Sequence, residues 1–440
     1  MDKRFLVFQR MKINNSIKEF EMNNDDKKYI PALRFPEFQN NGKWTTKLIG
    51  DIANTFSGGT PSVGNNNYYG GNIPFIRSGE IAKKDTELYI TELGLSSSSA
   101  KMVNKGTILY ALYGATSGEV AISQIDGAIN QAILAIIPKE NLYYNKYIYY
   151  FLQYQKQNIL SKYLQGGQGN LSGAIINNLV IVLPCYANND ISFDEQKRIA
   201  DSLSSLDKHI DATKRKLEQL KEHKKGLMQR LFPTKGKTIP ELRFSEFQND
   251  DEWKSVSLGD ITTVVNKRNK SNRTLPVYSI NNIDGFIPQT QQFERMDSEA
   301  RGYDISVYKI VGRHTFAYNP ARINVGSIGY SGELKDILIS SLYVCFKSIE
   351  NIDDKFLMCF FDSYLFNQAV ESNVEGGIRS YLFYENFSRI KLAIPTIKEQ
   401  KRIASCIMSI NNLIKETKNK ITILETHKKG LQQKLFPYIK

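Results

Sequence analysis

The chain has 440 residues, 41% hydrophobic and 23% charged, with 24 Tyr and 23 Phe, so it is too long for one ordinary core and too apolar for a disordered chain. Lys and Arg number 58 against 45 Asp and Glu, and the formal +13 points to a polyanionic partner. Four scattered cysteines and four histidines offer no readable disulfide framework or metal site and fit a reducing cytoplasm, while no apolar run approaches the roughly 18 residues of a membrane span.

Residues 1–30 resemble no other part of the chain; Met11 or Met22 could be the real start, and this tail is expected to be poorly anchored. Residues 31–193 read as a first mixed α/β module, opening with PALRFPEFQNNGKWTTKLIGDI at 31–52. Its strand patterns fall at Thr107–Tyr113, Val120–Ser123, Ala132–Ile137 and Asn178–Leu183, and Tyr143–Leu164 has the pattern of an aromatic-rich helix. SGGTPSVGNNNYYGGN at 57–72 is a loop by composition.

Residues 194–232 follow as a long helix. Ile199, Leu203, Leu206, Ile210, Thr213, Leu217, Leu220, Lys224, Leu227 and Leu231 alternate spacings of four and three, a coiled-coil seam with two polar interruptions. The helix ends at Leu231-Phe232-Pro233, where proline cannot continue it, and 233–239 is a linker.

The chain then repeats itself. PELRFSEFQNDDEWKSVSLGDI at 240–261 matches 31–52 at 12 of 22 positions, both tryptophans included. Residues 240–397 form a second module, with a helical pattern over Lys355–Val370. A second long helix and tail occupy 398–440, and residues 399–437 match 195–233 at 21 of 39 positions, with Thr417 and Lys428 in the places of Thr213 and Lys224. Between these markers the halves diverge, keeping a Gly-Gly pair and an apolar strand that ends in Pro184 or Pro395. The fold class expected is therefore α+β: two modules joined by two long helices, related by a pseudo-twofold axis that would make the helices an antiparallel coiled coil.

Charge follows this division. Segments 194–231 and 398–435 carry +3 and +6 of the total, whereas 240–397 carries −3, so any nucleic-acid contact from the modules must come from local clusters. The strongest such cluster is Lys267, Arg268, Lys270 and Arg273 with Asn269 and Asn272 between them; cations neutralise phosphates, and amides and guanidinium groups can bond base edges. An ordinary polar loop accounts for the same residues.

No catalytic motif is complete in the sequence. Gly236-Lys237-Thr238 lacks the first glycine of a phosphate loop, because Leu231 stands there. Phe316-Ala317-Tyr318-Asn319-Pro320 lacks the second proline of an adenine-methylating motif, and Ser117 is one place off a nucleophile elbow. Glu195 and Lys197 return as Glu399 and Lys401 at the start of the second helix, which reads as helix chemistry and not as a nuclease pair. His223 and His427 recur in HKKG near the helix ends, a surface motif suited to the helix dipole.

Two divergent modules, each opened by L-R-F-x-E-F…W…G-D-I and followed by an E-Q-K-R-I-A helix ending H-K-K-G-L-x-Q-x-L-F-P, resemble the DNA specificity subunit of type I restriction–modification systems over residues 31–440. The first module also has the family's phrases Gly59-Thr60-Pro61-Ser62, Ile73 to Arg77, Leu112 to Thr116 and Ile129 to Ala132; the second, with Tyr278 to Asn281 and Tyr318 to Arg322, is of a different subtype.

The resemblance implies that each module is a target recognition domain reading one half of a split, asymmetric double-stranded DNA sequence, with the helices as spacer. It implies two methyltransferase subunits that use S-adenosylmethionine to modify adenine N6, and two restriction/translocase subunits that use ATP and Mg. This cytoplasmic chain would hold no cofactor or metal, touch no membrane and do no chemistry. The expected DNA contacts are Thr60, Ser62, Arg77, Ser78, Tyr113, Thr116, Asn130, Gln131, Gly166, Gly167 and Gln168 in the first module. In the second they are Lys267, Arg268, Asn269, Arg273, Asn281, Asn319, Arg322, Asn324, Gly376, Gly377 and Arg379. The glycine pairs would permit close backbone approach. A stand-alone DNA-binding regulator, or a coiled-coil scaffold that binds no DNA, are the alternative readings.

Overall fold

A computed structural model describes residues 29–164, 170–282, 284–293, 295–374 and 381–437. They fall in two compact units, one within Met1–Ala212 and Lys420–Lys440, the other Thr213–Asn419. The division cuts both long helices, so each unit holds one module, part of the helix that follows it in sequence and part of the other helix.

In the first unit the strands are β1 (Thr45–Leu48), β2 (Ala53–Ser57), β3 (Tyr69–Ile76), β4 (Tyr89–Ile90), β5 (Lys101–Val103), β6 (Ile108–Ala111), β7 (Val120–Ile122), β8 (Gly127–Ile129), β9 (Ile133–Pro138) and β10 (Val180–Leu183). They form a β2-β9-β6-β7 sheet, a β4-β3-β8-β5 sheet and a β1-β10 pair. The second unit has β11 (Lys254–Ser257), β12 (Thr262–Val264), β13 (Val277–Asn281), β14 (Gly285–Pro288), β15 (Lys309–Val311), β16 (Phe316–Tyr318), β17 (Ile328–Tyr330), β18 (Ile337–Ile339), β19 (Val344–Ser348) and β20 (Lys391–Ile394). Its order is β12-β19-β16-β17, β14-β13-β18-β15 and β11-β20, the same topology strand for strand. Sequences that diverge almost completely thus retain one backbone plan.

The main helices are α1 (Asn145–Tyr163), α2 (Phe193–Leu231), α3 (Asp354–Phe361), α4 (Tyr364–Asn373) and α5 (Ile397–Leu435). The single helix expected over Lys355–Val370 is two, because the Ser363 hydroxyl caps a new helix by accepting from the Phe366 N–H at 3.3 Å. α2 and α5 each run 39 residues, about 58 Å at 1.5 Å per residue. Every seam position predicted from the heptads is buried or half-buried, Thr213 and Thr417 included.

Within the first unit, Ile199, Ala200 and Leu203 at the start of α2 share a core with Leu435 and Phe436 at the end of α5. Within the second, Met228, Leu231 and Phe232 at the end of α2 share a core with Ile403, Ala404 and Ile407 at the start of α5. Start meets end in both units, so the pairing is antiparallel. The seam lysines are not orphans: Lys428 reaches Asp207 of α2 at 2.7 Å, and Lys224 reaches Asp362 of the second module.

The repeated phrases are explained by a twice-used clasp. Arg34 donates to both carboxylate oxygens of Glu195 at 2.7 Å, and Arg243 to both of Glu399 at 2.9 and 2.8 Å. One residue type further on, Gln196 accepts from the Tyr144 N–H at 2.9 Å, and Gln400 from the Asp353 N–H at 2.9 Å. Arg198 pairs with Glu37 and stacks on Phe35, as Arg402 does with Glu246 and Phe244. The carboxylates of Glu195 and Glu399 are buried in these clasps, a placement that requires a charged partner. The Leu-Phe-Pro helix ends are the complementary plugs: Phe436 packs on Tyr147 and Phe151, and Phe232 on Trp253 and Phe356.

Candidate nucleic-acid interface

In the first module β3 and β8 run parallel, with Phe75 opposite Ala128 and Ile76 opposite Ile129, so Arg77 and Asn130 leave the sheet side by side. The second sheet ends at the same place. Ser57 of β2 lies opposite Leu134 of β9, and Ala111 of β6 opposite Ile133. The segment Asn130-Gln131-Ala132 joins the two sheets, and the loops after β2, β3 and β6 converge on it.

Glycine makes that convergence possible. A Cβ on Gly58 would lie 1.8 Å from the carbonyl oxygen of Ile129, so only glycine lets the loop after β2 rest on the end of β8. Thr60 is thereby delivered to Gln131, donating to its Oε1 at 2.6 Å. Asn130 Oδ1 accepts from the Ala132 N–H at 3.1 Å, and the Ala132 carbonyl accepts from the Leu112 N–H at 2.8 Å. Ser62 is exposed two residues beyond Thr60. Tyr113 packs its ring partly on the core, and Thr116 lies in the turn between β6 and β7. Ser78 opens a single 3-10 turn after Arg77.

Arg77 is already engaged. Its guanidinium donates to Glu80 at 3.0 and 2.9 Å and to Glu87 at 2.5 Å. The pairing with Arg77 holds the Glu80 carboxyl down to about 2 and raises the guanidinium further above its ordinary value. A clamped arginine of this kind presents one fixed N–H edge and cannot sweep between bases.

The second module repeats the geometry with other residues. β13 and β18 run parallel, with Tyr278 opposite Ile339, and Tyr318 of β16 lies opposite Val344 of β19. Asn281 closes the β13–β14 turn, accepting from the Asp284 N–H at 2.6 Å. Asn319 Oδ1 accepts from the Ala321 N–H at 3.0 Å, and Arg322 and Asn324 are exposed just beyond. The Ser327 hydroxyl donates to the Ile280 carbonyl at 3.3 Å, tying the β16–β17 loop to the end of β13. Asn281, Asn319, Arg322 and Asn324 are thus gathered on one strand-end edge.

The basic cluster is not gathered there. Lys267 and Arg268 are exposed on a segment that bridges to Lys309 of β15 along the side of the sheet. Arg273 pairs at 3.0 Å with Asp336, which precedes β18, at the end opposite Asn281. Asn269 is fully buried; its amide donates to the Arg273 carbonyl and accepts from the Arg273 N–H, so it shapes this loop and presents nothing to a ligand. An Asn between cations in the sequence carries no signal of that burial. Ser340, Ser341 and Leu342, absent from the expected contacts, follow Ile339 as Asn130, Gln131 and Ala132 follow Ile129. The pattern of apolar strand, polar pair, apolar strand is visible in both segments. Gly166, Gly167, Gln168, Gly376, Gly377 and Arg379 lie outside the described residues; the chain re-emerges beside the same edges, with the Leu171 N–H donating to Leu112 and the Leu382 N–H to Pro320.

The catalytic decoys resolve as structure. Ser117 donates to the Leu112 carbonyl, Tyr318 is buried in β16, and Glu195 is inside the Arg34 clasp. Among the described residues no group of three His, Cys, Asp or Glu could hold a metal ion, and no helix is long and apolar enough to cross a membrane.

These features define a class: a duplicated binding protein of two like-folded modules, each with a polar strand-end edge, on a repeated helical frame. Comparison with known proteins gives the class its family. The family described as Type I restriction modification DNA specificity domain matches residues 41–222 and 250–425. Two Methanocaldococcus jannaschii proteins are similar throughout: the type I restriction enzyme MjaVIII specificity subunit, 26% identical over 93% of this chain and 94% of its own, and the MjaIX specificity subunit, 25% identical over 89% and 92%. The crystal structure of a type I restriction–modification S subunit from M. genitalium superposes with a TM-score of 0.60 at 16% identity, covering 93% of this chain and all of that one. This chain belongs to that family and is a specificity subunit of a type I restriction–modification system, a non-catalytic component, with the α+β fold of its relatives.

Proposed function

We propose that each module reads one half of a bipartite, asymmetric DNA target through the strand-end edge described above, and that α2 and α5 fix the gap between the halves. Partner methyltransferase subunits, two per chain, then transfer methyl from S-adenosylmethionine to adenine N6. Two restriction/translocase subunits with ATP and Mg complete the restriction complex, and this chain works in the cytoplasm without a cofactor of its own. The observation that supports this reading is the combination of one backbone plan with two unlike edges: Thr60, Asn130 and Gln131 against Asn281, Asn319 and Arg322. A frame kept constant under edges that differ is what separate reading of two half-sites calls for. Amides and guanidinium groups suit base edges, and hydroxyls suit phosphates. Adenine methylation inside a duplex also requires base flipping, which falls to the partner.

Sequencing of methylated adenines in cells with and without this chain tests the reading. A split motif that appears only with the chain, and whose one half alone changes when residues 53–183 are exchanged for those of a relative, is the expected result. An unchanged methylome overturns it. Calorimetry on the purified chain should show no S-adenosylmethionine binding, and measurable binding would overturn the division of labour.

A further inference from the structure

Resting on that reading of the modules as DNA readers, we propose that Leu342 and Val63 are direct base contacts, each recognising the C5-methyl group of a thymine in the major groove, one per half-site. Among the described residues these are the two most exposed large apolar side chains, at 77% and 78%. One falls in each module: Leu342 follows β18 on the strand-end edge of the second, and Val63 lies in the loop of the first whose Thr60 donates to Gln131 on the corresponding edge.

Leu342 is displayed by a pinned turn. Ser340 Oγ accepts from the Leu342 N–H at 3.4 Å, and its carbonyl accepts from the Tyr343 N–H at 3.2 Å. Lys309 Nζ donates to the Tyr343 carbonyl at 2.6 Å, and the Tyr343 ring packs on the core beneath. The residues on either side are therefore fixed while the leucine stands in water. Val63 sits at the tip of the loop after Thr60, between the buried Pro61, whose carbonyl accepts from the Tyr69 hydroxyl at 2.7 Å, and Asn65, whose N–H donates to Ser62 at 3.1 Å.

A single exposed leucine on a protein surface needs no explanation. An apolar side chain held out by a rigid turn among hydroxyl and amide groups, at the place both sheets point to, does. The thymine methyl is the apolar group that the major groove offers, and apolar contact with it is a recognised mode of base readout. Polar candidates such as Asn281 and Gln131 have no preference for it.

The test uses the full chain with its methylating partner, on duplexes of the mapped target in which each thymine is replaced singly by deoxyuridine. One replacement in each half-site should weaken binding about fourfold, the effect of one methyl group leaving water. Leu342→Ala should abolish the sensitivity in one half-site only, and Val63→Ala in the other, with thermal unfolding unchanged because both side chains are exposed. The proposal is overturned if every replacement is tolerated, if the variants keep the sensitivity, or if a half-site contains no thymine. Loss of affinity in Leu342→Ala with no deoxyuridine effect would mean a wedge between base pairs and would also overturn it. A wild-type complex that does not prefer its target to a scrambled duplex would instead sink the underlying reading of the modules.

Discussion

Arg34 and Glu195, 161 positions apart in sequence, meet in a two-pronged ion pair with both N–O distances at 2.7 Å, the carboxylate almost wholly withdrawn from water. Arg243 and Glu399 repeat it in the second unit. The pair ties the segment that opens each module to the helix that follows it. Removing Arg34 leaves a buried, uncompensated charge, so Arg34→Ala should destabilise the first unit by about 3–5 kcal/mol, whereas replacing both partners by apolar residues should cost far less. Chemical denaturation of the single and double variants checks this. A single variant as stable as the wild type would mean that the clasp is not structural.

Arg77 and Glu80 give a pH dependence. The Glu80 carboxyl is held at about 2, below its ordinary value of 4.5, chiefly by the Arg77 guanidinium and also by the Glu87 N–H and Thr86 hydroxyl. Its contribution is therefore complete above roughly pH 4.5 and is lost as pH falls through about 2. Arg77→Ala should raise the acid midpoint of unfolding of the first module, followed by circular dichroism. An unmoved midpoint would show that the pair does not couple to folding.

Asn269 supplies a loss of function without a base contact. Its buried amide holds Arg273 and the loop around it, so Asn269→Ala should destabilise by about 1–3 kcal/mol through unsatisfied backbone groups. DNA affinity of the folded complex should fall equally on target and unrelated duplexes, since Lys267 and Arg268 lose their positions while the strand-end edge does not. A change in target sequence by methylome sequencing would mean that this loop reads bases.

The spacer role of the helices is tested by length. Insertion of four residues near Thr213 alone would lengthen α2 by about 6 Å but break the heptad phase. Seven residues in each helix preserve the phase and add about 10.5 Å, so the gap in the methylated motif should widen by about three base pairs. An unchanged gap would remove the helices from target spacing.

Much of this was legible in the chain itself. The heptad seam from Ile199 to Leu231 names its own buried face, because a 3.5-residue period leaves few alternatives. The strand at Val120–Ser123 differs from the observed one by a single residue. The helix over Lys355–Val370 was not legible as two, since the break depends on a Ser363 hydroxyl turning to cap a backbone N–H. The antiparallel pairing followed from the internal symmetry, and the Leu-Phe-Pro plugs explain why those three residues recur.

Among candidate contacts, residue type and spacing name positions in loops but not the partners that the side chains find there. Residue type and spacing show that Lys267, Arg268 and Arg273 are basic and near one another; they do not show that Asp336 takes Arg273 to the far end of the sheet. Arg77 is named as a candidate contact by its phrase, but that Glu80 and Glu87 clamp it depends on how the chain turns after β3.

The sequence by itself determined the duplication, the two long helices and the family, because these rest on periodicity and on repeated residues that any reader of the string can count. Tertiary structure decided which side chains are left to meet a partner. Burial, ion pairing and strand register join residues distant in the chain, and whether an arginine is clamped, an asparagine sealed in or a leucine held out to solvent depends on neighbours that spacing does not specify.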